Sequence, residues 1–200
     1  YGMNDVTHLG FQDIPMLSNI PNLVYLAPTT KEEYIAMLDW SIEQNEHPVA
    51  IKLPGGAMVS GRPVTKNFGD LNKYEVTQKG SKVALLGLGT FYSLANAVAD
   101  EMKSELGIDA TVINPYYITG LDEELLESLK ADHSVVVTIE DGILDGGFGE
   151  KIARFYGDSD MKVLNYGLKK EFLDRYDVEE VLKDNRLDAE MIAEDVKGLL

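Results

Sequence analysis

Hydrophobic and polar residues alternate along the chain in blocks that predict a regular succession of strands and helices. In the C-terminal part, short apolar runs typical of buried strands are separated by longer segments with helical spacing. The predicted strands are 83–88, 110–114, 135–139 and 163–166, and the predicted helices are 91–106, a segment capped by Asp122, 149–155, 177–183 and 188–199. Strands that alternate with helices through short loops predict a mostly parallel sheet, an α/β fold of three layers with helices on both faces.

The N-terminal part shows the same alternation on a smaller scale. Two short apolar runs bounded by prolines, 23–27 and 49–51, predict buried strands. Between them, Thr30 and Glu33 have the spacing of a capping box, in which each side chain accepts a hydrogen bond from the other residue's backbone. The helix that begins there is predicted to carry its apolar residues on one face. These residues are Ile35, Leu38 and Ile42.

Turn-forming residues concentrate between these two parts. They are Gly61, Pro63, Asn67, Gly69, Asp70, Asn72 and Gly80. Because glycine, proline and asparagine interrupt regular elements, we interpret 61–80 as a linker that contains a short hairpin. It separates a first unit, residues 1–60, from a second unit, residues 81–200.

The composition is that of a globular protein and excludes several functions. The 200 residues are 44% hydrophobic and 26% charged. We expect no membrane association, because no apolar run approaches the roughly 18 residues of a spanning helix. A net charge of -16 disfavours binding to nucleic acid. The absence of cysteine excludes disulfides and thiolate metal sites and fits a cytoplasmic protein.

A histidine near the start of the chain is the best catalytic candidate. His8 and Asp13 flank Gly10 in the sequence Thr-His-Leu-Gly-Phe-Gln-Asp at 7–13. A histidine in a glycine-containing loop can shuttle a proton or donate to a developing oxyanion. From the residues alone, an ordinary surface histidine remains an open alternative.

Five motifs occur in the order found in the transketolase superfamily of thiamine-diphosphate enzymes. They are 7–13 with the proline-bounded run after it, 48–56, the Ile-Glu-Asp at 139–141, the Gly-Gly-Phe-Gly at 146–149, and 187–193. Together they resemble the 1-deoxy-D-xylulose-5-phosphate synthase family. The resemblance implies that residues 1–60 are the second half of a pyrimidine-binding α/β domain and that 81–200 are the transketolase C-terminal domain.

The resemblance also implies an activity, cofactors and partners. Enzymes of this family condense pyruvate with the sugar phosphate glyceraldehyde 3-phosphate, release carbon dioxide and use thiamine diphosphate with Mg²⁺ as homodimers. The Gly-Asp-Gly of the magnesium site is missing here. In the family the activating glutamate lies upstream of the position of Tyr1. We therefore expect the C-terminal portion of a larger enzyme, inactive alone, with no cofactor-binding or metal-binding residue in this chain.

The site residues that the resemblance implies depart from the family pattern. His8 would line the substrate channel. Asn4 stands where the family has a substrate-binding aspartate, and Lys52 stands where an arginine grips the substrate phosphate. Gly55 replaces a second arginine. Because a lysine keeps the attraction of an arginine but loses its bidentate geometry, the acceptor substrate is left open. A solvated lysine at a strand end is the alternative for Lys52.

Two glycine clusters resemble nucleotide or anion loops. The cluster 146–149 precedes a predicted helix and could expose amides to an anion, although a structural role is favoured. The cluster 87–90 is interpreted as a tight turn with a helix cap.

Other functions remain open. The chain could belong to a transketolase or to the β subunit of a 2-oxoacid dehydrogenase, although the motif 187–193 argues against both. It could also be a non-catalytic dimerisation module or one subunit of a split enzyme.

Overall fold

The structure is a computed structural model that describes residues 5–200. Seven strands are found over these residues: β1 (Val24–Leu26), β2 (Val49–Ile51), β3 (Glu75–Gln78), β4 (Lys82–Gly87), β5 (Thr111–Asn114), β6 (His133–Ile143) and β7 (Lys162–Leu168). The α-helices over the same residues are α1 (Asp13–Leu17), α2 (Lys31–Glu43), α3 (Tyr92–Leu106), α4 (Glu123–Leu129), α5 (Phe148–Phe155), α6 (Val178–Asp184) and α7 (Ala189–Lys197). The predicted strands and helices are observed in the predicted order, and α1 and β3 are further elements that the pattern did not predict.

A five-stranded sheet forms the centre of the molecule. Its strand order is β3-β5-β4-β6-β7, and β3 is antiparallel to β5 while the other neighbours are parallel. Successive side chains of a strand point to opposite faces. In β4, Ala84 and Leu86 join one hydrophobic core, whereas Val83 and Leu85 join the other. Cores on both faces explain why the strands are nearly continuous apolar runs, and they confirm the predicted three-layer α/β fold.

The helices divide between the two faces. Helices α4 and α5 contribute Leu126 and Ile152 to the core that also contains β1. Helices α3 and α7 contribute Val98 and Ile192 to the opposite core. The first part of the chain therefore packs on the same face as α4 and α5.

The hairpin predicted within 61–80 does not form. Strand β3 instead pairs with β5, with Glu75 opposite Asn114, and so becomes an edge strand of the large sheet. Tyr74, just before β3, is buried and fixed by its backbone N–H, which donates to Asp122 Oδ2 at 2.9 Å. Pairing with a distant strand buries this segment, which a local hairpin on the surface would not do. The five-stranded sheet accordingly begins within the segment that was interpreted as a linker.

Strands β1 and β2 form a separate parallel pair joined through α2. Val24 lies opposite Val49, and among residues 5–200 β2 pairs with β1 alone. The other edge of β1 contacts the segment after β5: Ala27 N donates to Tyr116 O at 2.8 Å, and Ile118 N donates to Tyr25 O at 2.7 Å. These backbone bonds join the first part of the chain to the large sheet.

The N-terminus of α2 has one half of the predicted capping box. Thr30 Oγ1 accepts from Glu33 N at 3.2 Å, as the spacing predicts. Glu33 does not return a bond to Thr30. Its carboxylate accepts from the backbone N–H and the hydroxyl of Thr29 at 2.6 and 2.9 Å. The Thr29 N–H is thereby satisfied in a buried position, while Lys31 N donates to Val59 O.

The buried face of α2 is not the predicted one. Ile35 and Ile42 are 51% and 72% exposed, whereas Met37 is fully buried, and Ala36 and Trp40 pack against the core. The helix carries apolar residues on two opposite faces, so periodicity alone does not decide which one meets the sheet. None of the helices over residues 5–200 has both the length and the apolar character needed to cross a bilayer.

Candidate active site

A cavity of about 460 Å³ lies at the carboxyl ends of β2 and β6. Ligand sites of parallel α/β sheets form at such ends, because the loops that follow the strands meet there. His8 lies on one wall, Lys52 follows β2, and Asp141 lies near the end of β6. Helix α6 and the residue Tyr176 before it close another side. The cavity brings together two of the three predicted site residues, and the third, Asn4, lies outside the described residues.

His8 ends a short 3₁₀ turn, Val6–His8, and is exposed. Its backbone N–H donates to Asp5 O at 2.9 Å, and its Nδ1 pairs with Thr7 Oγ1 at 2.9 Å. Within residues 5–200, Nε2 has no hydrogen-bond partner, which leaves it available to a bound molecule. An imidazole held at one nitrogen and open at the other can pass a proton to or from a substrate oxygen.

Lys52 is held inside the cavity wall by one hydrogen bond and two longer ion pairs. Its Nζ donates to Gly10 O at 3.0 Å and lies 3.7 Å from Asp13 Oδ2 and 4.0 Å from Asp141 Oδ2. The Lys52 side chain is only 10% exposed. The alternative of a solvated lysine at a strand end is therefore wrong. Sequence reasoning gave no role to Asp13 or Asp141, although both belong to quoted motifs.

The two carboxylates impose a negative field on their surroundings. Burial raises the pKa of the Tyr25 phenol above its ordinary value, and Asp13 and Asp141 raise it further. The pKa of Tyr176, which lines the cavity, is raised in the same direction by burial and then by Asp141. Asp13 and Asp141 therefore act on the ionisable groups around this cavity.

The remaining walls are apolar. Their side chains come from the loop after β2, from β7 and from α6: Leu53, Leu168, Val178, Val181 and Leu182. The rings of Phe11 and Tyr176 pack with their centroids 5.7 Å apart. A molecule bound here would contact polar groups on the side of His8 and Lys52 and apolar side chains on the side of α6.

Comparison with known proteins identifies the family. Residues 72–192 match the family described as Transketolase, C-terminal domain. The chain belongs to this family. This membership and the observed fold confirm the resemblance to the transketolase superfamily that the five motifs indicate.

Relatives named 1-deoxy-D-xylulose-5-phosphate synthase match along the whole chain. The chain is 33% identical over 201 residues to that of Clostridium tetani and 34% identical over 203 residues to that of Clostridium perfringens. Each match covers 100% of this chain and 32% of the relative, so the chain spans about a third of the relatives' length. A solved structure titled "Split gene transketolase, inactive beta4 tetramer" shares the fold, with a TM-score of 0.77 and 24% identity over 96% of this chain and 62% of that chain.

The glycine cluster 146–149 of this transketolase C-terminal domain is filled by the protein's own carboxylate. Glu140 is fully buried and accepts from Phe148 N at 2.8 Å and Gly149 N at 2.7 Å, at the start of α5. Burial raises the pKa of Glu140 to about 7 despite these bonds. A Cβ on Gly147 would lie 2.6 Å from the Glu140 carboxylate. The cluster therefore has the structural role favoured by the sequence, because no free amides remain there for an external anion.

The second glycine cluster forms the predicted tight turn. Gly89 has a φ of +56°, and its Cα approaches Ala27 so closely that an added Cβ would lie 3.2 Å from the Ala27 side chain. Helix α3 of the transketolase C-terminal domain begins directly after this turn.

A larger cavity of about 700 Å³ lies between α2 and the β3 edge of the large sheet. Its polar residues include the buried Glu33, whose pKa is raised by burial, and Lys66, whose pKa is lowered by burial. Glu75 is already paired with Arg62 and with the Tyr116 hydroxyl. The sequence pattern gave no sign of this cavity, because its residues come from five separate segments.

The residues described here do not fit the magnesium site of a thiamine-diphosphate enzyme. Among residues 5–200, no three histidine, aspartate or glutamate side chains are grouped so that they could hold a metal ion.

Proposed function

We propose that this chain is the C-terminal portion of a thiamine-diphosphate-dependent enzyme that condenses pyruvate with an aldehyde, as in 1-deoxy-D-xylulose-5-phosphate synthase. The observation that carries the proposal is the meeting of His8 and Lys52 in one cavity at the carboxyl ends of β2 and β6. These residues are 44 positions apart in the sequence and come from separate motifs. The relatives' names and the family match support the same reaction class.

In this proposal His8 is the catalytic residue. Its Nε2 would donate a hydrogen bond or a proton to the carbonyl oxygen of the aldehyde, where negative charge develops as the new carbon–carbon bond forms. Thr7 holds the other ring nitrogen through the bond to Nδ1. The apolar wall from α6 would limit the access of water to this oxygen.

The cofactor belongs to the rest of the proposed enzyme. Thiamine diphosphate, with Mg²⁺, would supply the electron sink for decarboxylation of pyruvate. We propose that residues outside this chain hold it, and that this chain supplies the acceptor side of the site. Asn4 and Lys52 remain proposed residues of the acceptor end.

The test is an activity assay of the enzyme assembled with the portion that the longer relatives carry. Thiamine diphosphate, Mg²⁺ and pyruvate are supplied with several aldehydes, and the release of carbon dioxide and the new ketose are measured. Turnover that requires both an aldehyde and this chain supports the proposal. If no aldehyde gives a condensation product, the proposed function is wrong.

A non-catalytic or split-enzyme role is the second candidate. It is favoured by the structural neighbour, whose title describes a split-gene transketolase as an inactive tetramer. On this view the chain would form oligomers by itself, as a dimer or a higher assembly, and contribute to activity only beside a complementary chain. Sedimentation of the chain alone and with an N-terminal portion of a relative distinguishes this role from that of a continuous enzyme.

A further inference from the structure

We propose that Tyr176 is a positioning residue for His8 and that it acts through the ring of Phe11. The inference rests on the proposed function, in which His8 is the catalytic residue. It gives the transketolase C-terminal domain a part in the candidate active site. Tyr176 lies in that domain, two residues before α6, whereas His8 and Phe11 lie near the start of the chain.

The segment that carries His8 has little structure of its own. It consists of two short 3₁₀ turns, Val6–His8 and Gly10–Gln12, which are joined by Leu9 alone. Neither turn contains a buried residue. A 3₁₀ turn has poorer hydrogen-bond geometry than an α-helix, so a single turn is weakly stable by itself. The place of His8 is therefore fixed by contacts with other parts of the molecule.

Phe11 supplies such a contact. Its ring packs against the ring of Tyr176 with the centroids 5.7 Å apart and the planes at 51°, and tilted aromatic pairs of this kind are stabilising. Phe11 also packs against the core on the face of α3 and α7. A Cβ added to Gly142 of β6 would lie 3.2 Å from Phe11 O, so the backbone of Phe11 lies close to the large sheet. Because Phe11 is three residues after His8, a displacement of Phe11 also displaces His8.

Tyr176 is itself held in place by α6. Its neighbour Asp177 caps this helix, because the Asp177 carboxylate accepts from Glu180 N at 3.0 Å. Val181 and Leu182 of α6 pack against the same core as Phe11. Tyr176 is half-buried, and its hydroxyl makes no hydrogen bond within residues 5–200, so the contact with Phe11 is made by the ring.

A second contact joins the same two segments. Arg175 Nη2 lies 3.3 Å from Asp5 Oδ1, and the backbone N–H of His8 donates to Asp5 O at 2.9 Å. Both side chains of this ion pair are well exposed, and exposed ion pairs contribute little to stability. The main positioning contact is therefore that of Tyr176 and not that of Arg175.

Lys52 holds the His8 segment from the opposite side of the cavity. Its Nζ donates to Gly10 O at 3.0 Å from the end of β2. The segment thus lies between β2 and the residues before α6, and both sides line the same cavity. A single hydrogen bond from a lysine fixes one backbone atom, so loss of the Tyr176 ring should free the rest of the segment.

The first experiment measures the mobility of the His8 segment without turnover. Order parameters of the backbone amides of residues 6–12 are obtained by NMR relaxation of the 200-residue chain. We expect wild-type values near the value of about 0.85 that is typical of rigid backbone, and values below about 0.6 in Tyr176→Ala. Tyr176→Phe should keep the wild-type values, because it keeps the ring. The control Phe172→Ala removes a ring that is 79% exposed between β7 and α6 and should change nothing.

Two outcomes of the relaxation measurement would overturn the proposal. One is a wild-type segment whose order parameters already lie below about 0.6, since nothing in the chain would then fix His8. The other is a Tyr176→Ala variant whose segment stays as rigid as in the wild type. Phe11→Ala breaks the same contact from the other side and should free the segment equally, which keeps the test decisive if Tyr176→Ala does not fold.

The second experiment separates positioning from substrate contact in the assembled enzyme. Tyr176→Ala should lower kcat by about tenfold to a hundredfold, as a misplaced catalytic group does, while KM for the aldehyde changes less than about threefold. Tyr176→Phe and Phe172→Ala should keep both constants. In the His8→Ala enzyme, Tyr176→Ala should lower kcat no further, because Tyr176 acts through His8.

A rise in KM with unchanged kcat would overturn the proposal, because Tyr176 would then contact the substrate and not position His8. A further loss of kcat in the His8→Ala enzyme would overturn it as well. If no aldehyde reacts with the wild-type enzyme, the proposed function fails, and the order parameters still decide whether Tyr176 fixes the His8 segment.

Discussion

At the scale of single residues, the site depends on side chains whose partners lie far away in the sequence. Lys52 contacts Gly10, 42 positions earlier, and Asp141, 89 positions later. His8 differs, because its one side-chain partner among residues 5–200 is the neighbouring Thr7. Replacing His8 should therefore change chemistry with little change in stability.

The prediction for His8 is a loss of turnover in a folded enzyme. His8→Ala should lower kcat of the assembled enzyme by roughly 10²–10⁴-fold, as loss of a positioned acid or base does. The free energy of unfolding of the chain should change by less than about 0.5 kcal/mol, because the site is exposed. His47→Ala removes a histidine whose side chain bonds Asn22, away from the cavity, and should retain activity. Equal activity of the two variants would exclude the catalytic role of His8.

The prediction for Glu140 is a pH-dependent contribution to stability. Burial raises the pKa of Glu140 to about 7, whereas in the unfolded chain it is near 4.5. The unfolded state therefore loses this proton first, so the contribution is fully present below pH 4.5 and is lost as the pH rises toward 7. Between these limits the free energy of unfolding should fall by about 2 to 3 kcal/mol from this group.

Urea denaturation at pH 5, 6 and 7 measures this contribution as the difference between wild type and Glu140→Gln. The difference in stability should shrink as the pH rises. Glu105→Gln, at an exposed position of α3, also removes one carboxylate and should keep the wild-type slope. A pH slope unchanged by Glu140→Gln would contradict the assignment.

At the scale of elements, local pattern fixed where helices and strands occur but not how they pair. Helix α4 begins directly after its N-cap Asp122, whose carboxylate accepts from Leu125 N at 3.2 Å. Strand β3 shows the limit of local pattern, since its partner β5 lies more than 30 residues away. Helix α2 shows another limit, since its predicted apolar face points away from the core.

The prediction for α2 separates its two faces. Met37→Ala empties a fully buried position and should cost about 2 to 5 kcal/mol of unfolding free energy. Ile42→Ala, at a position that is 72% exposed, should cost less than about 0.5 kcal/mol. Urea denaturation of the 200-residue chain measures both changes on the same helix. A larger loss from Ile42→Ala would mean that the outer stripe is covered in solution.

At the scale of the whole molecule, the first part of the chain is bonded to the part that contains the large sheet. Backbone bonds join β1 to the segment after β5, and Lys151 of α5 donates to Ser18 O and Ile118 O, both at 3.2 Å. We propose the division into residues 1–60, a connecting segment 61–80 and residues 81–200, with β3 of the connecting segment contributing an edge strand to the large sheet. The segment before β3 is mostly exposed up to Phe68, which is buried.

The proposed division of the chain into units predicts where a protease cuts it first. Limited proteolysis should cut first between residues 57 and 75, because exposed turn-forming backbone is the preferred substrate. The fragments are identified by mass spectrometry after brief digestion. Residues 83–166 run from β4 into β7 and should resist longest. An initial cut inside that range would contradict the division.

The sequence by itself determined the succession of elements, the caps of Thr30 and Asp122, and the family to which the chain belongs. These features depend on the spacing of a few neighbouring residues, because hydrophobic periodicity and capping act within one or two turns of the chain. Only the tertiary structure decided that β3 joins the large sheet, that Met37 marks the buried face of α2, and that Asp13 and Asp141 neutralise Lys52. These outcomes depend on which distant segments meet, and the free energy of such contacts comes from burial and charge pairing that exist only after the chain has folded.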